Sequence, residues 1–137
     1  SPKQEYKKLL MQGDLTHVYF LGLKSNISDY LECSDALCIS SFYEGLPITL
    51  LESLSLGVIP ICTPAGGVVD VIDDDIGFLS DGFGVDDYLK AFNEFLNLKN
   101  FERSQMKSNC IKRFEESYTI SICADKYITT YQKQSHV

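Results

Sequence analysis

Two short apolar runs on either side of one helix-like stretch constrain this chain more than any other feature. Residues 36–42 (ALCISSF) and 58–63 (VIPICT) are of strand length and nearly unbroken in apolar character. Such runs mark strands buried on both faces of a sheet. Between them, Pro47 can open a helix at its first position and Gly57 can stop it. Strand, helix and strand in so short a span predict a parallel pair joined by a crossover.

The remaining sequence extends the alternation. Residues 2–13 read as a helix, and residues 17–23 (HVYFLGL) as a β-branched and aromatic strand closed by Gly22. Ser25 or Asn26 can cap a helix that carries Ile27, Tyr30 and Leu31 at helical spacing. Residues 64–74 read as a turn and a short helix, and residues 76–81 as a fourth short strand. Residues 85–98 are amphipathic, with Tyr88, Leu89, Phe92, Phe95 and Leu96 on one face. Helices over residues 101–115 and 121–132 follow. The fold class expected is α/β, a Rossmann-like parallel sheet with helices on both faces. Ligands of such sheets bind beyond the carboxyl ends of the strands. Glu44 and Gly45 follow one strand there, and Gly66 and Gly67 follow its neighbour.

Charge and cysteine usage narrow the function. A net charge of −7 argues against nucleic acid, whose phosphates call for a basic surface. The five cysteines (Cys33, Cys38, Cys62, Cys110, Cys123) are odd in number and form no Cys-x-x-Cys pair. They read as free, mostly buried thiols of a reducing cytoplasm. His17 and His136 stand apart from any ligand cluster, so no metal is expected. No run approaches the length of a membrane span. The acidic helix over residues 85–98 is unlike a basic membrane-surface helix, so membrane contact is expected to be peripheral at most.

Glu44 and Glu52 are the residues that ask for an explanation. A carboxylate among apolar residues is costly unless it is paired or used. Glu52 lies five residues after Pro47, about 7.5 Å further along the helix axis. The first turn of that helix offers free N–H groups and the positive end of the dipole, which suit a phosphate. Pro47 donates nothing, so the donors would be Gly45, Leu46, Ile48 and Thr49. A carboxylate accepts hydrogen bonds only, which matches a vicinal diol. An amide cradle flanked by two such acids describes a nucleotide-sugar site. Residue types alone leave a second reading open, with Glu52 on a solvated helix edge and Glu44 favouring the helix N-terminus.

The stretch FYEGLPITLLESLSLGVIPICTPAGGVVDVI resembles the signature of the group 1 retaining glycosyltransferases of GT-B fold. The shared pattern is Glu, seven residues, Glu, a small-residue helix, Gly, a Val/Ile-Pro strand, Thr, and Gly-Gly. VYFLGLKSNISDYLECSDALCISS and DDDIGFLS are similar to the segments that flank this signature. The resemblance covers about residues 14–131. It implies that Glu52 binds the ribose hydroxyls of a nucleotide sugar and that Glu44 is a catalytic residue beside the donor sugar, orienting it or stabilising developing charge. It implies backbone contacts to sugar and phosphate from Gly45, Leu46, Ile48 and Thr49. Lys24, in the loop of residues 23–25, would border the base, and Gly66 and Gly67 would close the pocket. Simple turn chemistry explains the last two loops equally well. Asp70 stands where the family usually has Glu and is assigned no role.

The same resemblance implies a UDP- or GDP-sugar donor, no metal or other cofactor, and a glycan or lipid-linked acceptor. It also implies that residues 1–137 are a single partial domain. The family's Arg and Lys that neutralise the donor diphosphate, its first strands and its acceptor-binding domain would lie upstream. Residues 17–23 should then stand detached from, or be paired non-natively with, a sheet formed by the other three strands. Two other readings stay open: a sugar-nucleotide enzyme of epimerase type, and a non-catalytic binding or assembly module that keeps the fold.

Overall fold

The computed structural model describes residues 17–134 of the chain. In order, they form α1 (Ile27–Glu32), β1 (Ala36–Ile39), α2 (Ile48–Ser55), β2 (Ile59–Cys62), a 3-10 turn (Gly66–Asp70) and β3 (Phe78–Leu79). Helices α3 (Val85–Leu96), α4 (Asn100–Ser117) and α5 (Ile120–Gln134) complete them. The strands make one parallel sheet in the order β1-β2-β3. Ala36 faces Ile59 and Ile39 faces Cys62, while Ile61 faces Phe78 and Cys62 faces Leu79. The fold is α/β and Rossmann-like.

Successive side chains of β2 point to opposite faces, and both faces are covered. Ile59 and Ile61 join Ala91, Phe95 and Met106 in one core cluster. Cys62 joins Leu50, Leu54, Val68, Val71, Ile72, Ile76 and Cys110 in the other. Helix α2 therefore covers one face and α3 the other, and α4 contributes to both. Leu50 and Leu54 are one helical turn apart and wholly buried. Truncating Leu54 to Ala removes those contacts and leaves a cavity, a loss of about 2–5 kcal/mol.

The ends of α2 place the loops beside it. Pro47 stands at the N-cap in extended conformation (φ −64°, ψ 123°), one position earlier than the expected first helical residue. Its carbonyl accepts a hydrogen bond from Leu50 N at 3.1 Å. At the other end Gly57 takes φ +68°. Gly57 N donates to Leu54 O and Val58 N to Ser53 O, the paired bonds of a Schellman stop. That turn aims the chain directly into β2.

Several expectations need correction. Residues 17–23 form no strand; they run as an irregular stretch in which Tyr19, Leu21 and Leu23 are exposed. A β-rich pattern without a ladder partner has nothing to hold it extended in a sheet. Among the described residues the sheet consists of the other three strands. Strand β1 is half-buried instead of covered on both faces, because among the described residues it pairs only with β2. Cys33 and Cys38 are exposed, so the thiols are not mostly buried; only Cys62 and Cys110 are. On α3 the seam runs through Tyr88, Ala91, Phe92 and Phe95, while Leu89 and Leu96 face outward. The helix expected over residues 2–13 lies outside the described residues.

Candidate functional site

The carboxyl ends of β1 and β2 carry two loops that bind one another. Thr63 N donates to Ile39 O at 2.9 Å, continuing the β1–β2 ladder past its last paired residue. Thr63 Oγ1 donates to Ser41 O at 2.5 Å, fixing the start of the loop after β1. Gly67 N then donates to Gly45 O at 2.8 Å. Gly66 takes φ +53°, and a Cβ there would overlap the carbonyl oxygen of Glu44. A Cβ on Gly67 would come within 2.9 Å of Gly45 O. Only glycines allow this approach, so the Gly-Gly turn is a clamp on the Glu44–Gly45 backbone. Simple turn chemistry does not account for that contact.

Glu44 and Glu52 are both half-buried, Glu44 on the clamped loop and Glu52 in the second turn of α2. Neither carboxylate makes an ion pair or a hydrogen bond among the described residues. The N–H groups of Gly45, Leu46, Ile48 and Thr49 likewise donate to no protein acceptor among those residues. Gly45 has no neighbour within 4 Å of where a Cβ would be, so space opens on that side of the loop. Leu46 and Ile48 are exposed, on either side of the half-buried Pro47. Unpaired donors and acceptors thus share one edge of the sheet, where a ligand with both diol and phosphate groups would satisfy them.

Lys24 lies on the exposed stretch before α1, and no hydrogen bond or ion pair joins it to the clamped loop. Two features of the site were not expected. In the sequence Thr63 stands only as part of a pattern, yet its hydroxyl holds the loop; no local signal marks that contact with Ser41. The stack of Phe42 on Phe83, with ring centroids 5.6 Å apart, joins residues far apart in sequence. Next to the site, burial pushes the Cys62 thiol up to about 12, with Cys38 and Glu44 adding smaller effects in the same direction. Tyr88, raised by burial and then by Cys38, stays protonated and donates to Ile61 O at 2.8 Å. Neither group supplies a nucleophile or base at neutral pH.

The model of the family "Glycosyl transferases group 1" matches residues 1–113, most of the chain. The chain belongs to that family. An alpha-1,4-N-acetyl-D-galactosaminyltransferase of Campylobacter jejuni, acting on a diNAcBac-PP-undecaprenol glycan, is 36% identical to this group 1 chain over 110 residues. The match covers 74% of the chain and 29% of that protein. A "UDP-Gal:alpha-D-GlcNAc-diphosphoundecaprenol alpha-1,3-galactosyltransferase" of Escherichia coli is 26% identical over 117 residues, covering 81% of the chain and 28% of that protein. The group 1 chain spans between 15 and 29% of the length of the curated relatives it matches. Among solved structures, the C-terminal domain of a group 1 family glycosyl transferase (LpcC) from Francisella tularensis superposes with a TM-score of 0.69 at 20% identity. That superposition covers 88% of this chain and 66% of that one. The likeness is one of fold, that of a GT-B C-terminal domain.

Proposed function

We propose that this group 1 chain is the donor-binding part of a retaining glycosyltransferase that uses a nucleotide sugar. The observation that carries the reading is the clamped loop: two half-buried, unpaired carboxylates beside four unpaired N–H groups, held by Gly66 and Gly67. Glu52 takes the ribose hydroxyls and Glu44 lies by the donor sugar. Gly45, Leu46, Ile48 and Thr49 present their amides to sugar and phosphate. As the glycosidic bond to phosphate breaks, positive charge grows on the sugar, and a carboxylate beside it is worth more in the transition state than in the ground state.

The UDP-sugar donor and lipid-diphosphate acceptor named for the E. coli relative, and the lipid-linked acceptor named for the C. jejuni one, favour the same classes here. Among the described residues no helix is long and apolar enough to cross a membrane. Free thiols, two of them exposed, suit a reducing compartment such as the cytoplasm. Transfer of labelled sugar by the protein carrying this chain, with NMR of the product's anomeric configuration, tests the reading. A product of retained configuration, formed equally well in EDTA, is the expected result. Inversion, or donor binding without any transfer to an acceptor, would contradict it.

A further inference from the structure

We infer that Phe83 is a positioning residue for Glu44, acting through its stack on Phe42. The two rings lie 5.6 Å apart at an interplanar angle of 19°. Phe42 stands two positions before Glu44 on the loop after β1, and Phe83 stands on the loop after β3. Core packing does not explain the pair. Phe42 is 67% exposed and Phe83 43%, and neither belongs to a core cluster.

The loop that carries Phe83 is itself tied down. Ser80 N donates to Cys62 O at 2.9 Å, extending the sheet by one bond. Ser80 Oγ donates to Gly82 O at 2.6 Å, and Gly84 N donates to Asp87 Oδ2 at 3.3 Å at the start of α3. Lys90 of α3 pairs with Asp81 at 2.6 Å. Phe83 therefore offers Phe42 a fixed ring face. The backbone of Glu44 is then held from two sides, by Gly66 and Gly67 against Glu44–Gly45 and by Phe83 against Phe42. A carboxylate that must meet a developing charge gains from such fixed placement, since a loosely held one would have to be ordered during the reaction.

The inference rests on the role given to Glu44 above, and its test separates the two. Nitrogen-15 relaxation of the chain reads the order of Tyr43, Glu44 and Gly45 directly. Phe83→Ala and Phe83→Leu should lower order parameters at these three amides and leave β2 and α3 unchanged, while Phe83→Tyr should keep them. Steady-state transfer by the protein carrying the chain should lose roughly three- to tenfold in kcat with Phe83→Ala, the scale of one aromatic pair, with KM for the donor nearly unchanged. Phe83→Tyr should restore kcat. Unchanged order at Tyr43–Gly45 in both Phe83→Ala and Phe83→Leu would overturn the inference alone. Lost order with unchanged kcat would instead overturn the catalytic role of Glu44, and the positioning role with it.

Discussion

Gly66 lies against the carbonyl of Glu44, so close that the loop after β2 can keep its path only without a Cβ at that position. The conformation at Gly66 is also left-handed, at φ +53°. Two independent demands for glycine thus meet at one residue, and both act on the backbone of the proposed donor-site acid.

Substitution at Gly66 should therefore be felt in stability. Gly66→Ala adds left-handed strain of about 1–2 kcal/mol and a collision with backbone that cannot swing aside. Urea unfolding should show a loss of about 2 kcal/mol or more. Gly45→Ala meets no atom within 4 Å and should change stability by about 0.5 kcal/mol at most. It should still weaken donor binding, because the methyl group fills the open side of the loop. Equal stability loss in both variants would mean that the clamp is not what holds this loop.

The two acids should separate in kinetics. Glu52→Gln keeps size but gives up charge-assisted bonds to the ribose, worth roughly 1.5–3 kcal/mol, or about one to two decades of donor affinity. Glu44→Gln should lower turnover more than donor affinity, since its contribution grows with the charge of the transition state. Calorimetry with the donor and steady-state transfer assays on the protein carrying this chain measure the two effects. Equal loss of affinity in both variants with turnover intact would defeat this division of roles.

Thiol chemistry checks the packing around the site. Cys33 and Cys38 are exposed and should react rapidly with a disulfide reagent at neutral pH. Cys62 and Cys110 are wholly buried, with pKa values pushed up to about 12 by burial, and should react only on unfolding. The sign of the pH effect follows. A thiol raised from 9.0 toward 12 on folding stabilises the fold fully below about pH 9, and that stability is lost as pH climbs toward 12. Denaturation midpoints that fall from about pH 9 upward in the native chain, and fall less in Cys62→Ala, are the expected result. Rapid native-state labelling of Cys62 would contradict the two-sided burial of β2.

What could be read in the sequence is what local pattern dictates. The apolar runs around β1 and β2, and Gly57 between them, foretell the parallel crossover, although burial on both faces holds for β2 alone. Glu44 and Glu52 stand out because acids beside apolar runs demand an explanation. Residues 17–23 carry as good a strand pattern, but a strand exists only with a partner, and partnership is not a local property. Periodicity places Leu89 and Leu96 on the buried face of α3, whereas the contacts with β2 and β3 are made by Tyr88, Ala91, Phe92 and Phe95. The contacts of Gly66 with Glu44, Thr63 with Ser41 and Phe83 with Phe42 join separate loops, and only the folded chain brings them together.

The central claim is that the clamped loop and the start of α2 bind a nucleotide sugar, and amide NMR of the chain during titration with UDP- and GDP-sugars tests it most directly. Neutral amides beside two carboxylates compete poorly with water for a charged diphosphate, so affinity should be about millimolar or weaker, near 4 kcal/mol. Small, saturable shifts confined to Gly45, Leu46, Ile48, Thr49, Glu52, Gly66 and Gly67 are predicted. Shifts confined to another face, or none up to tens of millimolar donor, would contradict the claim.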